Sequence, residues 1–455
     1  MNQNNISATE LFQRVRELLT LPDLEPKTRN KMMHDTLILC CHEGVKDTKQ
    51  AFGNLFSQVD YLCKARGIKV ADKIAIQTMR RHSNSQEPLS GEDLKYDARA
   101  LTLFISAVFE ERIPHEVNVL IPHINRPFQK GLEINNRRIR CIVKNWDSDF
   151  IRVDIDQDAD EEEYLVRLKD EENHIDHTYL WDLLKEGMQL NLLDCQVKQP
   201  IITPRLIVVE PDYLVDISSI ATCFTAFGHH PLLYLLNLMK PRANTQATLL
   251  GNFAGAALDD IINSHGKYQV NETVKSNFRE KALEFCTCSW FDAKKFYTDA
   301  NLQAFNLQQV VDILFPRTAS QAKMSAFRGE SLYDRKKAIL EPSFVCEALG
   351  IQGRVDLMTT DCKLLVEQKS GRNMNIETHQ VDPAYHSYQL EPHYVQLLLY
   401  YGVLQHNFKL SNDRVNIRLL YSKYQPQDGL MVVAYYQKLF KEAIEYRNQL
   451  VAASF

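Results

Sequence analysis

Asp356, Glu367 and Lys369 are the residues of this chain whose types and spacing could do chemistry together. Asp356 closes Gly353-Arg354-Val355-Asp356. Glu367 and Lys369 lie in Leu364-Leu365-Val366-Glu367-Gln368-Lys369-Ser370-Gly371. Both segments read as short strands, and Thr359-Thr360-Asp361-Cys362 supplies a turn between them. Strand alternation sends Leu365, Glu367 and Lys369 to one face. A hairpin closing near Thr360 and Asp361 sets Asp356 opposite Leu365 and diagonal to Glu367, within ~7–8 Å. Two carboxylates at that separation can share a divalent cation, and an adjacent ammonium can orient water and hold phosphate charge. Phosphodiester hydrolysis needs both functions.

A plainer arrangement is an edge hairpin with the same three residues in water. The run Leu364-Leu365-Val366 directly before Glu367 favours a buried central strand instead.

The order and spacing resemble the RecB-like branch of the PD-(D/E)xK nuclease superfamily, whose core reads G-x-[IV]-D, hairpin, then [DE]-x-K-[ST]-G. The resemblance covers roughly Pro211 to the chain end, and is closest to the nuclease domains of replication and repair nuclease-helicases. It implies metal binding by Asp356 and Glu367, the Gln368 backbone carbonyl as a further ligand, and Lys369 as the signature lysine. The implied cofactor is Mg2+ or Mn2+. A further family acid lies upstream; Glu347 is preferred by proximity, with Glu341 as the alternative. Gln396-Leu-Leu-Leu-Tyr400 resembles the family's Q-x-x-x-Y helix, in which Gln contacts phosphate or a base and Tyr stacks or donates a hydrogen bond.

Two features depart from the family. Gly255 stands where a metal-binding histidine four residues after Gly251 is often found, and Asp259 or Asp260 is the nearest substitute. No cysteine follows Cys362, so this chain cannot complete the four-cysteine iron–sulfur cluster of many members.

The resemblance implies DNA as substrate, as single-stranded ends or flaps. Arg354, Arg372, Asn373, Gln396 and Tyr400 are the expected contacts. No phosphate-binding loop of the G-x-x-x-x-G-K-[ST] type is present, so an ATP-driven motor would be a separate helicase or ATPase partner. The alternative function is a noncatalytic DNA-binding or assembly subunit on a degenerate nuclease fold.

Stepping outward, 455 residues exceed one usual domain. The layout expected is multidomain α+β: a helical packing or partner region over 1–115, a small β-barrel-like domain over 116–212, and a PD-(D/E)xK α/β nuclease domain over 213–455. Leu11, Val15, Leu18 and Leu19 form an apolar helical stripe in the first, and Trp146 and Tyr164 are candidate stacking residues in the second. The acidic run from Asp154 to Glu163 lacks EF-hand spacing and reads as a solvated loop. A formal net charge of -5 offers nucleic acid no global attraction, so binding would need local basic surface. Ten scattered cysteines without a leader pattern fit buried thiols in a reducing compartment. No apolar window reaches the ~20 residues of a membrane span. The expected location is cytoplasmic or nucleoid-associated, or nuclear in a eukaryote.

Overall fold

The computed structural model describes residues 6–21, 25–85, 91–126, 136–156, 163–241, 243–264, 268–410 and 415–454. It is a mixed α+β protein that divides into two compact units, Met1–Tyr213 with Ala452–Phe455, and Leu214–Val451. The helical and strand-rich segments expected over 1–115 and 116–212 both fall in the first unit.

The first unit opens with helices α1 (Ala8–Thr20), α2 (Pro26–Val45), α3 (Leu55–Ala65), α4 (Val70–Ser83) and α5 (Gly91–Phe109). Ser7 and Glu10 form a reciprocal capping box that satisfies orphan N–H groups at the start of α1. Leu11, Val15 and Leu18 are fully buried in the helical core, while Leu19 packs at its margin. Cys40, Cys41 and Cys63 lie in the same core, and burial pushes their thiols up.

One sheet that follows has seven strands: β1 (Arg138–Trp146), β2 (Phe150–Ile155), β3 (Tyr164–Arg167), β4 (Gln189–Leu193), β5 (Gln196–Lys198), β6 (Ile201–Thr203) and β7 (Leu206–Val209). Their order is β5-β6-β3-β2-β1-β4-β7, with no pairing between the two edges, so among the described residues the expected small barrel is an open sheet. The edge strand β5 is only three residues long and offers few pairing positions, and at the other edge β7 ends at Glu210, whose backbone is in the left-handed region at φ 41°. The Glu210 carboxylate accepts the Gln189 N–H at 2.9 Å. Tyr164 is a core residue rather than a stacking platform.

The acidic stretch also differs from a solvated loop. Asp154 pairs with Lys144 at 2.6 Å and Lys73 at 3.1 Å, and Asp156 with Arg80 at 2.5 Å, so basic residues of α4 face it. Its centre, 157–162, lies outside the described residues.

In the second unit, the elements that matter are α6 (Gln246–Asn263), α7 (Ala293–Leu314), β8 (Ala338–Leu340), β9 (Ser343–Cys346), β10 (Ile351–Arg354), β11 (Leu357–Thr359), β12 (Leu364–Lys369), α8 (Glu391–Phe408), β13 (Asn416–Tyr421), β14 (Leu430–Val432) and α9 (Gln437–Ala452). The main sheet runs β8-β11-β12-β13-β14. β12 is its central strand and pairs in parallel with β13 across the α8 connection, the usual consequence of joining parallel strands through a helix. Leu364, Leu365 and Val366 are 0% exposed, which excludes the solvent-edge arrangement for this hairpin. Burying each contributes roughly 1.5–3 kcal/mol.

The two faces of β12 have different neighbours. Leu364 and Val366 join Leu420 and Leu357 in a core with α6 and α7, built around Phe253, Leu258, Phe296 and Leu307. Glu367 and Lys369 project from the other face, which α8 covers. Among the described residues no helix is long and apolar enough to cross a membrane.

Candidate functional site

The β11–β12 hairpin fixes the first relationship. Leu357 pairs with Val366 and Met358 with Leu365, so the ladder ends with Asp356, in the bend before β11, next to the position across from Glu367. The expected partner was Leu365, two residues earlier. The shift arises in the loop: Cys362 takes a left-handed backbone at φ 54°, and the Thr359 hydroxyl accepts the N–H groups of Lys363 and Leu364, giving a four-residue connection. The two acids are neighbours here, since the Asp356 charge and N–H both act on the Glu367 carboxyl.

Asp356 follows the end of β10, where the strand edge is open. Its Oδ2 accepts the Gln368 N–H at 2.5 Å. In an extended strand the N–H and C=O of one residue leave on the same edge, so the Gln368 carbonyl also emerges toward Asp356. The Gln368 side chain goes elsewhere, donating to Ser422 Oγ at 2.7 Å, which in turn donates to Gln303. Gln303 also donates to the Ser370 carbonyl at 3.1 Å. This polar link from α7 holds the end of β12 still.

Glu367 is 2% exposed. Its Oε1 accepts from Lys369 Nζ at 2.7 Å, and the Asp356 N–H is directed at the same carboxyl group, whose Oε2 is buried. Burial, reinforced by the Asp356 charge, pushes its pKa up to about 8 against the opposing influence of Lys369 and the Asp356 N–H. Burial also raises Asp356, although the Gln368 N–H and Lys369 oppose it. A buried carboxylate costs free energy that a cation would offset.

Helix α8 supplies the opposite wall. Gln396 Oε1 accepts from Lys369 Nζ at 2.9 Å, placing the ammonium between Glu367 and Gln396. Tyr400, one turn on, is buried and donates to the Arg354 carbonyl at 2.6 Å, so it positions backbone and is not a stacking surface. The glycine of the first motif follows from this contact. A Cβ at Gly353 would meet the Tyr400 ring at 3.0 Å and Ile217 at 3.2 Å.

The upstream acids separate clearly. Glu347 opens the turn at the other end of the β9–β10 hairpin, where Arg447 donates to the Gly350 carbonyl. It does not meet Asp356. Glu341 does: its N–H donates to the Asp356 carbonyl at 2.9 Å from a left-handed backbone, φ 47°, and its carboxylate pairs with Arg354 at 3.0 Å.

Helix α6 passes over the same edge. Gly251 lies beside Ser370, Gly255 opens onto empty space where an added Cβ would meet nothing within 4 Å, and Asp259 comes one turn later. Burial, with the charges of Glu341, Asp260 and Asp356, raises Asp259 to about 6. Asp260 instead accepts from the Thr273 hydroxyl. Of the two acids considered as substitutes near Gly255, Asp259 therefore faces the site and Asp260 is a structural acceptor.

Among the other expected contacts, Arg372 is exposed and pairs with Glu377. Asn373 is 0% exposed, caps the short helix Met374–Thr378 and donates to the Tyr388 carbonyl at 2.9 Å. It cannot reach nucleic acid, because both ends of its amide are engaged in the fold. Sequence reasoning missed His393, three residues before Gln396 on α8, whose ring lies near Lys369.

The residues present fit a hard divalent cation in one specific way. Among the described residues there is no group of three or more His, Cys, Asp and Glu side chains that could hold a metal. Asp356, Glu367 and the Gln368 carbonyl form a smaller all-oxygen donor set, and the buried Glu367 Oε2 belongs to it. Magnesium commonly uses one or two carboxylates and keeps several waters. No family model matches this chain, and a search of curated proteins returns no relative.

Proposed function

We propose that this protein is a divalent-metal-dependent deoxyribonuclease acting on single-stranded ends or flaps. The observation that carries the reading is the buried Glu367 carboxyl group, with Lys369 on one oxygen and Asp356 beside it. Two acids and an ammonium gathered at the end of a buried central strand are suited to a divalent cation and a phosphate.

Asp356, Glu367 and the Gln368 carbonyl would hold Mg2+ or Mn2+, which would supply charge neutralisation at the phosphate and activation of a water. Lys369 has three N–H donors. Two are committed to Glu367 and Gln396, which leaves the third for a ligand. It can steer the attacking water or bind a non-bridging phosphate oxygen. Gln396 holds Lys369 in place and Tyr400 holds the Arg354 backbone next to Asp356. Any ATP-driven motion along DNA would come from a separate helicase or ATPase partner.

The experiment is cleavage of labelled single-stranded, flap and circular DNA in Mg2+ or Mn2+. Wild type should cut, and Asp356→Ala and Lys369→Ala should each abolish cutting while the circular dichroism spectrum is unchanged. A second reading, a non-cleaving DNA-binding or assembly subunit, is favoured by Gly255 and by the small side-chain donor set. DNA binding without cleavage in either metal would select it.

A further inference from the structure

His393, Gln396 and Tyr400 occupy positions i, i+3 and i+7 of α8 and form one stripe. Gln396 touches Lys369 and Tyr400 touches the Arg354 backbone, so the stripe lies along the candidate site. His393 takes its N-terminal end. The imidazole stands against Tyr421, ring centroids 5.6 Å apart, and Tyr421 pairs with Lys369 across β12 and β13.

The hydrogen-bond geometry fits a tautomer with its hydrogen on Nε2. Tyr421 Oη accepts the Leu390 N–H at 3.1 Å and can point its own hydrogen at His393 Nδ1, 3.0 Å away, which leaves the ring hydrogen on Nε2. Burial, with the Lys369 charge, lowers the pKa to about 4, in agreement with a neutral ring. Among the described residues Nε2 has no hydrogen-bond partner, and the His393 side chain is partly exposed.

We propose that His393 is a neutral hydrogen-bond donor, through Nε2, to a non-bridging oxygen of the phosphodiester engaged at Lys369. The inference rests on the nuclease reading above. An imidazolium would repel Lys369 and compete for Glu367. A neutral N–H gives the phosphate a fixed donor without either effect. Its orientation is set in advance by Tyr421, and loss of one such preorganised donor costs about 10²–10³ in kcat.

The test compares His393→Leu, which keeps bulk without a donor, with His393→Gln, which keeps a side-chain N–H. On single-stranded DNA in Mg2+, the Leu variant should lose about 10²-fold in kcat and the Gln variant should stay within about tenfold of wild type. Near-UV circular dichroism and Tm establish that both are folded. Wild-type-like cleavage by the Leu variant, or an equal fall in both folded variants, overturns the proposal. A wild type that fails to cut counts against the nuclease reading alone. Binding of a short labelled single strand in Ca2+ then decides His393: about tenfold weaker binding by the Leu variant than by the Gln variant upholds the contact, and equal affinities overturn it.

Discussion

The Tyr400 hydroxyl donates to the main-chain carbonyl of Arg354 at 2.6 Å, and its ring fills the space that a side chain at Gly353 would need. Two motifs more than forty residues apart are thereby one packing unit, with Asp356 two residues beyond the contact. Gly353→Ala should destabilise the protein by about 1–3 kcal/mol through overpacking. Denaturant titration measures this. An unchanged midpoint would remove the steric account of the glycine. Tyr400→Phe should cost about 1 kcal/mol and leave DNA affinity unaltered, because the buried ring offers no stacking surface.

Glu367 links stability to pH with a definite sign. Its folded pKa, about 8, lies above the ordinary 4.5. The stability it contributes is therefore fully present below about pH 4.5 and declines as pH rises through about 8. Glu367→Gln should remove that decline, making the variant on the order of 2 kcal/mol more stable than wild type above about pH 9, in metal-free buffer. The same change should end cleavage. A variant no more stable than wild type at alkaline pH would show that the carboxylate is not strained by its burial.

Divalent cations should reveal the donor set without any substrate. A ligand present at about a hundred times its Kd stabilises the folded state by ~2.7 kcal/mol. Wild-type Tm should thus rise with Mg2+, Mn2+ or Ca2+, while Asp356→Asn and Glu367→Gln should show little response. Equal shifts in all three proteins would place the ion elsewhere.

Asn373→Ala should destabilise by about 1 kcal/mol or more, from the lost cap and a buried amide partner. Arg372→Ala, an exposed residue, should leave Tm within about 0.5 kcal/mol of wild type and act only on DNA affinity. Salt-dependent binding and thermal melts separate the two effects.

His229 bridges Glu391 and Glu442, each at 2.7 Å, on opposite ring nitrogens. Burial lowers its pKa, but the hydrogen bonds and charges of the two carboxylates outweigh burial and hold it above 6.5. Its stability contribution is complete below pH 6.5 and is lost as pH rises through the elevated folded value. Tyr385 on Glu391 and Tyr446 beside Glu442 are the other titratable neighbours, and burial raises both well above this range. His229→Gln should flatten the decline of Tm as pH rises from 6.5 through the elevated folded value.

The face shared by Glu367 and Lys369 was legible in the sequence because strand alternation is rigid, and the Leu-Leu-Val run foretold a buried central strand. The register was not. It depends on the Thr359 hydroxyl and on a left-handed Cys362, and a one-letter pattern shows neither. Glu341 was passed over for Glu347 because closeness along the chain is a poor guide inside a hairpin. The turn carries Glu347 away while backbone pairing brings Glu341 back to Asp356. Asn373 looked like a contact for nucleic acid because a polar residue after glycine fits a loop. Capping consumes its amide. The barrel expected over 116–212 failed for a similar reason: strand count was readable, but edge pairing is decided by lengths and turns such as that at Glu210.

The buried Glu367 carboxyl, raised by burial and by the Asp356 charge, is a cost that a cation bound as proposed would offset. Divalent ions would then govern two quantities together, how fast each molecule works and how many molecules survive intact. Metal depletion should speed proteolytic turnover of the second unit before any substrate is offered.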